Sequence, residues 1–181
     1  MRARVLLALF ALFALCAPAA QAQGPSGQAP NPERDAVREQ VRATLTTFAT
    51  QLGMTFHQSE KQPYNFGGTL TTGLTYCDEL EIVVVVGAQR TLGVEVYPHY
   101  KGGYINLKKA KDPVALGARL LHLNNDGFFY WSADDEYDLH DDFNFTLESG
   151  YPEASFRVVL KSIVNLDKVV GTLRPLIDGS G

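Results

Sequence analysis

Apolar residues recur along the chain at two periods, and the switches between them divide it into elements. Val37, Val41, Leu45, Phe48 and Leu52 follow one another at spacings of four, four, three and four, which places them on one helical face. Pro32-Glu33-Arg34-Asp35 starts this helix and Gly53 closes it. A strand-rich region follows. Gly67-Gly68 marks a turn ahead of a threonine-rich stretch, Thr69 to Tyr76, and Leu80 to Val86 is a nearly continuous β-branched run suited to a central strand. After a turn at Gly87 to Arg90, Leu92, Val94 and Val96 alternate with Gly93, Glu95 and Tyr97 as a half-exposed strand. Gly102-Gly103 is a further turn before a short apolar piece, Tyr104 to Leu107.

Asp112-Pro113 opens a second helix, because Asp caps well and Pro suits the first helical position. Leu116, Leu120 and Leu123 form its buried face, and Asn124 to Gly127 ends it. Phe128 to Trp131 predicts an aromatic strand, Asp134 to Asp138 a hairpin tip, and Phe143, Phe145 and Leu147 the returning strand. From Tyr151 onward, Phe156, Val159, Ile163, Leu166, Val170 and Leu173 predict one long last helix. Gly171 weakens that helix and Pro175 ends it. The order helix, antiparallel strands, helix, two strands, helix predicts an α+β domain with helices on one face of an antiparallel sheet.

The first 22 residues have a different pattern. Arg2 and Arg4 precede a continuous apolar run, Val5 to Cys16, and then Pro18 and Ala20-Gln21-Ala22. This is the layout of a secretory signal peptide cleaved after Ala22, and its apolar core falls short of the ~20 residues a spanning helix needs. The expected organisation is therefore a signal peptide over 1–22, a flexible mature N-terminus over 23–33 and one domain over 34–177. The mature protein is expected in a bacterial periplasm or outside the cell.

Cleavage changes the charge. Removing Arg2 and Arg4 from 16 basic residues leaves 14 against 20 acidic ones, a net charge of −6. With no basic cluster, this argues against nucleic acid as a partner. Two cysteines exclude a disulfide scaffold, and after cleavage Cys77 stands alone beside acidic residues that blunt it as a nucleophile.

The element order, with Leu120-Leu121-His122-Leu123-Asn124-Asn125 closing the middle helix and an aromatic strand, an acidic hairpin and a long last helix after it, resembles the YbjN-like family. Members have the fold of type III secretion chaperones, and the resemblance spans about residues 34–177. It implies a non-enzymatic, dimeric domain that holds or escorts a protein partner, in a family often described as sensory or regulatory. It brings no catalytic residues to carry over. The export signal departs from the family pattern and points away from cytoplasmic regulation.

Two groups of residues carry candidate chemistry. Tyr97, Tyr104, Tyr130 and Trp131 offer aromatic surface for a protein partner. Asp134, Glu136, Asp138, His140 and Asp142 would share one side of a strand and could offer oxygens to a divalent cation such as calcium, although the segment lacks the glycine and the closing glutamate of an EF-hand loop. A small hydrolase is a third reading, but no G-x-S-x-G elbow and no phosphate loop occurs, and no cofactor is expected. The leading expectation is an exported, non-catalytic protein-binding domain. The apolar richness of the last helix adds the expectation of a homodimer.

Overall fold

A computed structural model of the chain describes residues 31–125, Gly127 and 129–180. The predicted export segment 1–22, its expected cleavage point, most of the expected 23–33 leader and Phe128 lie outside the described residues. Helix α1 (Pro32–Thr44) begins where Asn31 accepts a hydrogen bond from the Arg34 amide at 3.0 Å and Pro32 fills the first turn. It runs on through a π-helical turn, Leu45–Ala49, and Gly53 leaves the helix at a φ of 78°. The wide turn brings Ala49 fully into the core, while Phe48 and Leu52 are only partly buried.

Among the described residues the strands are β1 (Met54–Gln58), β2 (Asn65–Leu70), β3 (Glu79–Val86), β4 (Thr91–His99), β5 (Tyr130–Ala133) and β6 (Leu139–Thr146). They form one antiparallel sheet in the order β1-β2-β3-β4-β6-β5. The remaining helices are α2 (Pro113–Leu123), α3 (Glu153–Ser162) and α4 (Asn165–Ile177). The fold is therefore α+β, with the expected order of elements.

Three local expectations need correction. Gly67-Gly68 is not a turn but the middle of β2, and the strand ends at Leu70 instead of starting at Thr69. Glycine is needed there because β1 lays aromatic rings across it: a Cβ on Gly68 would come within 2.4 Å of the Phe56 ring, and one on Gly67 within 3.1 Å of the His57 ring. β1 itself is short, and the alternation of Met54 and Phe56 with Thr55 and His57 spans too few residues to mark a strand. The last helix is two helices. A turn at Ile163-Val164 separates α3 from α4, but its dihedrals stay near helical and the Leu166 amide donates to the Ile163 carbonyl. The apolar seam therefore continues across the turn, with all six of its residues buried. Finally, α4 runs past Pro175 to Ile177, so the proline falls inside the last turn instead of ending the helix.

Gly171 has a packing reason. A Cβ there would meet the Tyr76 ring at 2.6 Å, so the glycine lets the 71–78 loop lie against α4. The same loop is held by Asp167, a buried carboxylate that accepts from the amides of Thr75 at 2.9 Å, Tyr76 at 2.7 Å and Cys77 at 2.8 Å. A buried charge with several backbone donors is a satisfied one.

Strand parity divides the sheet into two unlike faces. Leu80, Ile82, Val84 and Val86 of β3 and Leu92, Val94 and Val96 of β4 are each 0% exposed, because they lie under the helices. The alternate residues of the same strands are only half-buried or exposed. Register carries this division across the sheet: Val96 pairs with Asp141 and Trp131 with Asp141 on the helix side, while Glu95 pairs with Asp142 and Tyr130 with Asp142 on the open side.

Candidate functional site: the open sheet face

The open face is built from the polar half of each strand. Glu79 and Glu81 come from β3, Glu95, Tyr97 and His99 from β4, His140 and Asp142 from β6, and Tyr130 and Ser132 from β5. Its middle is flat and apolar. Val83 pairs with Gly67 and Val85 with Gly93, so neither valine has a larger side chain directly beside it on that strand. No Lys or Arg occupies an open-face position on the described strands.

Tyr97 and Tyr104 come together here as expected. The chain turns back after β4, and the His99–Tyr104 bridge places Tyr104 beside Tyr97, with ring centroids 5.8 Å apart at 72°. The Tyr104 hydroxyl donates to Glu81 at 2.7 Å, and its ring meets His99 edge-on at 4.3 Å. The nitrogens of His99 each face a carboxylate, Glu79 and Glu81, at 3.2 Å. The hydrogen bond to Glu81 and partial burial push the Tyr104 phenol up to about 12. Burial, then the charge of Glu95, does the same to Tyr97.

His140 stacks on Tyr97 at 4.7 Å and shares a hydrogen bond with Asp142 at 3.0 Å through Nδ1. Burial disfavours its charged form, but the bond to Asp142 and the charges of Asp142, Glu95 and Asp134 outweigh it and raise the imidazole above its usual 6.5. Glu95 is raised as well, by burial and then by Asp142. Tyr130 is 56% exposed at the β5 edge of the same face.

Trp131 does not belong with these tyrosines. It is the next residue along β5, so it points to the helix side, where it is 9% exposed and packed in the core. Its backbone amide donates to Asn124 Oδ1 at 2.7 Å, which ties β5 to the end of α2.

The acidic segment does not act as one strand. Asp134 folds inward and accepts from the amides of Glu136 and Asp138, both at 2.9 Å, as the cap of a tight turn in which Tyr137 takes a φ of 71°. Asp138 accepts from Asn106 at 2.8 Å. Only His140 and Asp142 lie on the strand and face the same way. Among the described residues no three His, Cys, Asp or Glu side chains come together in a way that could hold a metal ion. Cys77 is buried, and burial, then Asp167, pushes its thiol up to about 12, the direction its acidic neighbours predicted.

Two buried carboxylates were not legible as such in the sequence, Asp167 and Asp141. Asp141 is 1% exposed and lies on the helix side of β6. Its parity was legible, since it alternates with Leu139, Phe143 and Phe145, but the run of acidic neighbours drew it into the hairpin instead.

No family model matches the chain, and no curated protein does. Among solved structures it is similar to the ExsC–ExsE complex, with 11% identity over 79% of this chain and 98% of that one, at a TM-score of 0.48. It is also similar to YbjN from E. coli, the protein whose family the sequence resembles, with 12% identity over 75% of this chain and 93% of that one, at a TM-score of 0.46.

Proposed function

We propose that this chain is an exported, non-catalytic domain whose open sheet face holds a basic, partly apolar segment of a partner protein. The observation that carries the reading is the composition of that face: Glu79, Glu81, Glu95 and Asp142 around the flat Val83–Val85 strip, with Tyr97, Tyr104 and Tyr130 beside them and no Lys or Arg among the described strand positions. Carboxylates steer a basic segment toward the sheet, and exposed tyrosine rings anchor it at small entropic cost. Export rests on the layout of residues 1–22, and N-terminal sequencing of the mature protein should begin at Gln23.

The test is a titration with a short fluorescent peptide of alternating lysine and leucine, read by anisotropy. Glu81→Lys combined with Tyr130→Ala should weaken binding by about 30-fold, the equivalent of ~2 kcal/mol, with the far-UV circular dichroism of the folded parent retained. Undiminished binding by that double variant would overturn the reading.

Homodimerisation is the second part of the proposal, and it loses one of its grounds. Most of the apolar residues of the last two helices that argued for a second copy are buried in their own chain, with Val158 and Val164 left exposed. A second copy on the open face would set carboxylates against carboxylates. Self-association is therefore expected to strengthen as the pH falls, and sedimentation at pH 5 and pH 8 reads it.

A further inference from the structure

A cleft of about 320 Å³ lies on the opposite, helix-covered side of the sheet, between β5–β6 and the start of α4. Phe129, Trp131, Leu166 and Val169 wall it, and Asn165, exposed, stands at its rim. Its volume is near the lower end of the range for small-ligand sites, which runs from ~300 Å³. Asp141 is among its lining residues, and its Oδ1, buried behind the cleft wall, has no hydrogen-bond partner among the described residues.

This combination selects a ligand chemistry. An unpaired carboxylate among apolar walls repels anions and gives a neutral apolar molecule no compensation for the stranded oxygen. A hard metal ion needs about six to eight oxygen ligands, and one carboxylate in an aromatic cleft does not provide them. An organic ammonium satisfies both halves: its N–H groups pair with Asp141, and its hydrocarbon body fills the space against Trp131, Phe129 and Leu166, with ring faces that also attract a cation. The geometry points to a binding site for a small hydrophobic amine, with Asp141 as its anchor. This site is on the other side of the sheet from the proposed protein-binding face and stands independently of it.

The charges that act on Asp141 are those of its strand neighbours His140 and Asp142, whose side chains lie on the opposite face of the sheet; among the described residues no Lys, Arg or second carboxylate lines the cleft. Burial, then Asp142, raises the Asp141 carboxyl to about 7, against the opposing influence of His140. A bound ammonium therefore competes with a proton. Affinity should fall about tenfold per pH unit below pH 7 and level off above it.

The probe is 2-phenylethylamine, with 2-phenylethanol as its neutral counterpart. Trp131 is the chain's one tryptophan and lines the cleft, so its fluorescence reports occupancy directly. The amine should give saturable fluorescence change and a rise in melting temperature, the alcohol should bind at least ~10-fold more weakly, and Asp141→Asn should erase that preference. Equal binding of amine and alcohol, amine affinity unchanged in Asp141→Asn, or no saturation by millimolar amine would each overturn the assignment. Should Asp141→Asn fail to fold, Val169→Phe, a partly exposed position, fills the cleft instead. Amine binding that survives this filling is equally fatal.

Discussion

The two faces of the sheet come from the same strands and could hardly differ more. On β3, Ile82 is sealed under the helices while its neighbours Glu81 and Val83 meet the open side. On β5, Trp131 is core and Tyr130 is 56% exposed. The helix side is apolar apart from a few polar groups, and these fall into two kinds. Asp167 is fully occupied by three backbone amides, whereas Asp141 is left with an empty oxygen beside a cleft. The open side carries its charges as pairs with histidine and tyrosine, at half-burial, where water and neighbours share the cost. Stability is therefore concentrated on one face, and the side chains of the other are freer to vary.

Perturbing adjacent residues of one strand tests this contrast most strongly. Trp131→Ala should cost about 3–5 kcal/mol in urea unfolding, because the ring is core and its loss leaves a void. A cost near zero would move Trp131 to the surface.

The next largest effect belongs to Asp141. Its carboxyl is held near 7 in the fold against a usual value of 3.8, so the folded state binds more protons between those limits. Stability from this group is highest below about pH 4 and falls as pH rises toward 7, by on the order of 4 kcal/mol. Asp141→Asn should flatten that part of a melting-temperature profile and stabilise the protein at neutral pH. A profile of unchanged slope would show that the carboxylate is compensated.

Asp167 should respond in the opposite direction. Asp167→Asn turns an amide toward backbone donors that now meet an oxygen, and should destabilise by roughly 2–3 kcal/mol. Hydrogen exchange at Thr75, Tyr76 and Cys77 should speed up with it, and protected amides in the variant would refute the cap.

The smallest effects are expected on the open side. His140 is raised above 6.5, so its contribution is fully present below that pH and is lost as pH rises through its folded value. His140→Gln should remove this loss, measured as melting temperature from pH 6 to pH 8. Tyr130→Ala should change stability by no more than about 0.5 kcal/mol, and a larger loss would mean that the face is not open.

Much of this was legible from residue order. The periods of apolar residues located α1, α2, β3, β4 and the seam of α3–α4, because burial against a single layer imposes regular spacing. Two helix starts announced themselves through Pro32-Glu33-Arg34-Asp35 and Asp112-Pro113, whereas the Asn31 cap did not. The candidate site was half legible. Tyr97, Tyr104 and Tyr130 could be picked out as aromatic surface, and strand alternation already put Tyr130 and Trp131 on opposite sides. Which side faced the helices was not written locally, since Phe129 and Trp131 are no more apolar than an aromatic pair on the other parity.

The order of the strands, the pairing of β1 over Gly67 and Gly68, and the covering of one face alone were decided by tertiary structure. Each depends on contacts between residues far apart in the chain, and a local pattern carries no information about its distant partner. Asp141 and Asp167 show this most clearly. Both are aspartates near apolar residues in sequence, and both are buried. Only the fold brought three amides to one and an aromatic cleft to the other.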